Sequence, residues 1–480
     1  MFELTDIQNW DDAPGKHVSW GPSPSTVAKV AEAPVSDVPA SYQQAQHLRA
    51  YREHTARGVP MARLTVPVWN MDGQCDMRAM SHVINAYLRR HDTYHSRFEF
   101  TVDDRIVRRK LRSPRDLRFV PTDHGVQTCD QWREHILDTP GPLQWDCFRF
   151  GIIQRTDHFT CYMSVDHVHV DATFLGLMLI EIHLMYAALV SGGAPITLPP
   201  AGSYDDYCVR QRKYTSGLTL DSPEIKEWVT FLEGNNGTMP KFPLPLGDLS
   251  VPCTGDLMTV QLLDEPQTQG FEKACVAAGS RFIGGVFAAA ALAQYQLTDI
   301  DTYHVITPTT TRGTESEVMA TGWFTGTVPI TVPVGSSFAE TARTAQRSFD
   351  SGLYLAHVPF DRVLELGATE RGLRAPDPGV PMVSYLDATA APLSPAVVAE
   401  WNRINGRIFS EMGAANQVGM WVNQFGSGTW ITVAFPNNPV ARASVQEYVD
   451  AFRSVCVAVA EGRHDDVPTP RVNELDLRSA

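Results

Sequence analysis

Apolar and polar positions follow two different periods along this chain, and the change from one to the other is sharpest between Phe159 and Gly193. Phe159, Cys161, Met163 and Val165 fall on one side of a two-residue period, and Thr160, Tyr162, Ser164 and Asp166 on the other, which predicts a strand. After Asp171 comes a nearly continuous apolar run, broken by Glu181 and His183 and closed by Gly192-Gly193. That pattern predicts a buried helix with a glycine C-cap. Asp166, His167, His169 and Asp171 lie where the strand hands over to the helix. Four titratable groups there are the first candidates for chemistry.

The same reading predicts an irregular, surface-laid lead-in over residues 1–40, a helix from Ser41 to Arg57 and a strand from Leu64 to Trp69. Asp76 is placed to cap a helix with Met77, Met80, Val83, Ile84, Tyr87 and Leu88 on one face. A strand is expected near Arg97 to Phe100, and Phe148 to Gln154 forms a hairpin with Phe159 to Asp166. Gly234 to Gly255 reads as a linker. Beyond it come helices ending at Gly279 and spanning Ile283 to Gln294, and strands near Thr302 to Thr309 and Thr327 to Val334. A helix from Phe338 to Ser351, a hairpin turning at Gly426-Ser427-Gly428 and a last helix from about Ala443 to Glu461 complete the chain. Strands and helices mix without strict alternation, so the expected class is α+β.

Length changes the picture first: 480 residues exceed one ordinary core, so two domains are expected. A net charge of -14 argues against a nucleic-acid partner. Eight scattered cysteines without a C-x-x-C pair suit a reducing cytoplasm better than a disulfide framework. The acidic N-terminal stretch has no apolar signal-peptide core. The run from Thr173 to Val190 carries Glu181 and His183, which are costly in lipid, so a buried helix is expected rather than a span. Peripheral contact with a membrane surface stays open.

Chemically, His167 is a natural general base near neutral pH, with Asp171 four residues later to brace the turn or to pair with a distant arginine. The rival reading joins His167, His169 and Asp171 as metal ligands. H-x-H-x-D resembles the zinc motif of metallo-β-lactamase-like hydrolases, but Ala172 stands where that motif has a further histidine. A third reading is a histidine merely packed in the core, against which stands the need of four clustered polar groups for partners.

The stretch Asp166-His167-Val168-His169-Val170-Asp171-Ala172 resembles the HHxxxDG motif of the condensation-domain and chloramphenicol-acetyltransferase-like superfamily, with Asp166 in place of the first histidine and Ala172 in place of the glycine. Other stretches resemble that superfamily in order: Arg90 to Phe98, Pro142 to Asp146, Tyr204 to Tyr207 with Gln211, Thr321 to Gly326 with Val328-Pro329, and Val358-Pro359-Phe360. Ser41 to His47, Phe242 to Asp248 and Ser348 to Gly352 are similar to the mycobacterial polyketide-associated acyltransferases that acylate trehalose. The resemblance runs from about Trp10 to past Ala460.

It implies two chloramphenicol-acetyltransferase-like lobes, 1–225 and 226–480, joined near residues 215 to 255, with an active-site channel between them. His167 would be the general base, Asp171 structural and paired with Arg312, and Asp166 and His169 supporting groups behind the base. Asp166 would tend to raise the pKa of His167. The implied reaction moves a long-chain or polyketide-derived acyl group from acyl-CoA or a carrier-protein thioester to trehalose or a trehalose ester. No cofactor, metal or covalent acyl-enzyme is expected. A polyketide synthase or acyl carrier is the expected protein partner, the chain is expected to be a monomer, and the location cytoplasmic, at the inner face of the plasma membrane. A non-catalytic condensation-like scaffold is the remaining alternative.

Overall fold

The computed structural model describes residues 4–192, 196–389 and 395–470. They form two compact units. Unit 1 comprises Met1–Gly217, Thr311–Thr325 and Ala396–Gly413, and unit 2 comprises Leu218–Thr310, Gly326–Pro395 and Ala414–Ala480. The first crossing thus lies at Gly217, whereas a cut at 225/226 would fall inside the helix Pro223–Glu233. Two later segments return to unit 1. The stretch Gly234 to Gly255 is not a linker: it belongs to unit 2, where Phe242 and Leu246 are buried and the Phe242 ring lies 5.1 Å from Tyr448.

The strands of unit 1, with their successors in chain order, are β1 (Leu4–Asp6), β2 (Gly15–Pro22), β3 (Leu64–Asp72), β4 (Ser96–Phe100), β5 (Ile106–Lys110), β6 (Phe119–Gln127), β7 (Phe148–Gln154) and β8 (His158–Asp166). Unit 2 contributes β9 (Gly255–Asp264), β10 (Thr302–Thr310), β11 (Thr325–Pro333) and β12 (Pro381–Asp387). Then β13 (Arg407–Ser410) returns to the first sheet, and β14 (Val418–Phe425) and β15 (Gly428–Pro436) finish the second.

The first sheet runs β1-β13-β3-β8-β7-β2-β6, and the second β11-β10-β12-β14-β15-β9. Both mix parallel and antiparallel pairs, for example β1 with β13 and β3 with β8 in the first. The class is α+β.

β8 is a central strand of the seven. Its alternation reflects two buried faces rather than one core face and one wet face. Cys161, Met163 and Val165 join the core that includes Met80, Ile84 and Leu88 of the helix Met77–Arg90. Tyr162 faces a second cluster with Trp10, Trp132 and Ile136. The polar row is therefore buried and must be paired: Thr160 donates to Asn70 at 3.0 Å, and Ser164 shares a 2.9 Å hydrogen bond with Thr139.

The lead-in is not irregular. β2 inserts between β7 and β6, and only its alternation was blurred by flanking glycine and proline. The strand near Arg97 to Phe100 exists, but it pairs only with β5 in a separate two-stranded sheet. The buried helix runs Phe174 to Val190 with a π-helical segment, Leu179–Leu184, inside it. Gly192 takes a positive φ of 72° at its end, as a C-capping glycine does, while Gly193 lies outside the described residues.

In unit 2 the helix Phe282–Thr298 is buried along Ala288 to Ala291 and packs with the helices Glu265–Ala277, Phe338–Gly352 and Pro439–Ala460. Among the described residues, no single helix is long and apolar enough to cross a membrane. The bent pair Glu265–Ala277 and Phe282–Thr298 passes by length and composition together, and burial in this core accounts for its apolarity.

Gly151 of β7 stands directly opposite Tyr162 of β8, and a Cβ added there would clash with the edge and hydroxyl of the tyrosine ring. Gly151→Ala is expected to displace that ring and destabilise unit 1 by about 1–3 kcal/mol, the usual cost of overpacking. Urea denaturation followed by tryptophan fluorescence measures it.

Candidate active site

β8 ends at Asp166, and the next three residues form a 3-10 turn, His167–His169. Asp166 caps that turn by accepting from the Val168 N–H at 3.0 Å, and the His167 N–H donates to the Arg63 carbonyl at 2.8 Å. Gln44, at the start of the helix Tyr42–Ala56, donates its side-chain N–H to the Val168 carbonyl at 3.1 Å. The turn is thus held through its backbone from three directions. Residues 167 to 169 turn instead of running extended, so the side chains of 167 to 171 do not share one face.

Asp166 is fully buried. Burial alone would push its pKa up, but His47 at 2.7 Å, the Val168 N–H and the Arg63 guanidinium at 3.1 Å together hold it below the ordinary carboxylate value. Arg63 is fixed in turn by the Pro140 and Thr139 carbonyls at 3.0 and 2.5 Å. Neither Arg63 nor His47 was singled out from sequence. The signal was present in Asp166 itself, since a carboxylate on a central strand requires a cationic partner.

His167 is half-buried. The Trp323 ring lies 4.2 Å from its imidazole, and His47 lies 6.4 Å away. Its Nδ1 is buried without a partner on another residue, and the acceptor acting on the ring is its own backbone carbonyl. Desolvation, reinforced by His47, holds its pKa below 6.5, against the opposing pull of Asp166 and Asp171. The expectation that Asp166 raises this pKa is therefore corrected in its net result: the carboxylate acts in that direction but burial prevails.

Asp171 is buried and receives four donors. Arg312 binds it in a fork, Nη1 to Oδ2 at 2.7 Å and Nη2 to Oδ1 at 3.1 Å, and the backbone N–H groups of Phe324 and Thr173 donate at 2.9 and 3.1 Å. Arg312 also donates to the Glu317 and Ala320 carbonyls and lies over the Phe324 ring at 4.4 Å. This pair fixes the segment that presents Trp323. Each Asp171 oxygen thus accepts one Arg312 N–H and one backbone N–H.

His169 is buried between Thr93 Oγ1 at 3.0 Å and Cys147 Sγ at 3.3 Å, with Tyr94 and Phe148 against its ring. Burial pushes its pKa down to about 4, and pushes the Cys147 thiol far up. A neutral imidazole beside an un-ionised buried thiol is not a nucleophilic dyad. With His169 and Asp171 both engaged elsewhere, the three residues of the metal reading do not converge on one point.

The chain matches the family described as Condensation domain over residues 65–379. It is 54% identical over 463 residues to the trehalose-2-sulfate acyltransferase PapA2 of Mycobacterium tuberculosis, covering 96% of this chain and 98% of that protein. The chain belongs to the condensation-domain family. It is 51% identical over 461 residues to the 2'-acyl-2-O-sulfo-trehalose (hydroxy)phthioceranyltransferase PapA1 of the same species, with 96% and 89% covered. The solved structure of a PapA2 acyl transferase superposes with a TM-score of 0.93 at 54% identity, over 96% of this chain and 100% of that one. Within the condensation-domain family it is an acyltransferase.

The remaining family-like stretches of unit 1 converge on the same turn. Glu181, in the π-helical segment, is buried against Arg90 Nε at 2.9 Å and His91 Nε2 at 3.0 Å, while His91 Nδ1 accepts from the Thr321 N–H at 3.2 Å. Asp92 caps the helix Tyr204–Ser216, accepting from the Tyr204 N–H at 2.9 Å and the Ser203 hydroxyl at 2.6 Å. Gln211 of that helix accepts from the Tyr42 N–H at 2.9 Å, and Tyr204 donates to Ser41 at 3.0 Å. Glu181, costly in lipid, is here the anchor between the buried helix and the segment carrying Trp323.

Arg312→Ala leaves the Asp171 carboxylate buried without its cation and is expected to destabilise the protein by about 3–5 kcal/mol, while Asp171→Ala/Arg312→Ala together cost less than the sum of the single changes. Chemical denaturation of the four forms measures the coupling.

Proposed function

We propose that this chain transfers an acyl group from a thioester, acyl-CoA or a carrier-protein conjugate, to a hydroxyl of trehalose or a trehalose derivative. The observation that carries the reading is His167: a half-buried imidazole kept neutral by its surroundings, with no hydrogen-bond partner on another residue among those described. A neutral imidazole carries one ring nitrogen with a free lone pair, which serves as the base. The PapA2 and PapA1 names both describe acylation of a sulfated trehalose, in the second case one already acylated. Near-equal identity to both favours their shared element, the trehalose core, as the constant part of the acceptor.

In the proposed step His167 takes the hydroxyl proton as the oxygen bonds to the thioester carbonyl carbon, whose π pair moves to oxygen. Collapse of that intermediate breaks the C–S bond, and the departing sulfur takes the proton from His167. Ester and free thiol are the products, and no cofactor or acyl-enzyme is needed. Trp323 offers a flat aromatic face beside the base, suited to a sugar ring. Asp166, Asp171, Arg312 and His169 hold the turn and do not touch the reacting atoms. A thioester donor from a polyketide synthase or acyl carrier favours the cytoplasmic side, and a glycolipid product favours work at the inner membrane face.

A transfer assay with long-chain acyl-CoA and trehalose or trehalose-2-sulfate tests this. His167→Ala is expected to lower turnover at least about a hundredfold, the scale of a general-base contribution. Full activity in that variant excludes His167 as the base.

The working form is the unprotonated ring, and its pKa lies below 6.5. Activity is therefore expected to be complete at neutral pH and to fall only as pH drops through that lowered value. The acid-side midpoint of kcat/KM measured across pH 4 to 8 is expected below about 6.5.

A further inference from the structure

Three histidines outside the proposed catalytic turn come from three separate elements: His17 from β2, His124 from β6 and His135 from the helix Cys129–Leu137. Their ring centroids form a near-equilateral triangle, 4.6 Å from His17 to His124, 4.9 Å from His17 to His135 and 4.8 Å from His124 to His135. One ring nitrogen of each lies within 4.8 Å of one from each of the others. The backbone is shaped for this. The β2–β6 register shifts between Lys16 and Val18, opposite Gly125, which holds a positive φ of 74°. Such a bulge re-aims a strand side chain, here that of His124, beside the edge of the sheet.

The hydrogen bonds assign the nitrogens. His17 Nδ1 donates to Gln127 Oε1 at 2.7 Å, which leaves Nε2 with the lone pair, now facing the Tyr162 hydroxyl at 2.8 Å. A side-chain carbonyl fixing the far nitrogen is the usual support for a ligating histidine. His124 Nε2 meets the Ser19 hydroxyl at 2.8 Å. His135 Nε2 is buried with no hydrogen-bond partner among the described residues. An orphaned ring nitrogen beside two other imidazoles asks for a ligand.

We propose that His17, His124 and His135 form a binding site for a divalent first-row transition metal ion of the zinc class, joining β2, the edge strand β6 and the following helix. Three neutral imidazoles suit that ion, and tetrahedral bonds of about 2.0–2.1 Å need only modest ring rotation from the present spacing. His17 is buried while His124 and His135 are half-exposed, which leaves the fourth position to water from the open side. Metal at His17 Nε2 displaces the Tyr162 hydroxyl from that lone pair. Burial first, and then one another and the nearby Arg149 guanidinium, lower the pKa of His17 to about 4 and of His135 to about 3. His124 is lowered by burial and Arg149, against Asp123, which itself pairs with Lys16 at 2.8 Å. Arg149, anchored on the His135 carbonyl, is a cation beside the cluster that opposes the ion. No short motif announced the site, because each ligand lies on a different element, and the sequence reading expected no metal.

Full-length protein, freed of metal with a chelator, is titrated with zinc by calorimetry and with cobalt by visible absorption. One equivalent is expected, with a tetrahedral cobalt band. His135→Ala, checked for folding by circular dichroism, is expected to weaken binding at least about tenfold, while Arg149→Gln tightens it severalfold through loss of the opposing charge. Arg149→Gln keeps all three ligands, so it tests the site even if His135→Ala unfolds. Undetectable binding by the native protein, or zinc affinity the same in native, His135→Ala and Arg149→Gln forms, overturns the proposal.

Discussion

The fork between Arg312 and Asp171 is the constraint on which the candidate site depends. Both side chains are almost wholly buried, at 4% and 5% exposure, so their attraction is little screened and neither can be removed without stranding the other. The pair does more than cancel charge. Asp171 follows the His167 turn by two residues, while Arg312 and the Phe324 N–H belong to a segment more than a hundred positions later that folds back into unit 1. One carboxylate therefore ties the far side of the turn to the strip of chain that brings Trp323 onto His167. On the near side Asp166 does the same with Arg63 and His47. His167 sits between two neutralised carboxylates, each held by its own arginine.

Much of this was legible because the elements around the turn are strongly periodic. The helix capped by Asp76, the helix from Ser41 and the β7–β8 hairpin were all readable in the sequence, and the structure has them within a residue or two. What failed did so where local pattern and tertiary environment disagree. β2 was missed because glycine and proline bracket it and its alternates opposite Val18 and Trp20, His17 and Ser19, are buried polar groups. The Gly234 to Gly255 stretch has linker composition, yet it buries Phe242 and Leu246 and so belongs to a packed unit. The two-unit division could not be read as one cut, since segments that return after a long excursion leave no compositional mark.

For the site, residue identities within the motif were visible, but their partners were not. A buried carboxylate demands a cation without saying which of the chain's many arginines supplies it. Arg312 was accessible through family resemblance, while Arg63 lies just before β3 in an unremarkable stretch. The same limit applies to Glu181. Its position inside an apolar helix marked it as costly, and Arg90 and His91 explain why that cost is tolerated.

Asp166 takes the place where the wider superfamily carries a first histidine, and such an exchange would ordinarily disturb a neighbouring base. A carboxylate next to His167 favours the protonated ring, which is the wrong form for accepting a proton. The structure contains the compensation. His47 binds the carboxylate on one oxygen and Arg63 on the other, so its charge is countered on both sides. His47 also acts on His167 directly and in the opposite sense, reinforcing desolvation, which is the larger effect. The imidazole thus stays neutral because burial, and not the sign of one neighbour, decides its charge. A substitution that looks electrostatically adverse in the sequence is neutral in the fold, provided that the helix carrying His47 and the strand following Arg63 remain in place. That dependence makes the β3 entry and the helix Tyr42–Ala56 part of the site, although neither carries a group that touches the reacting atoms.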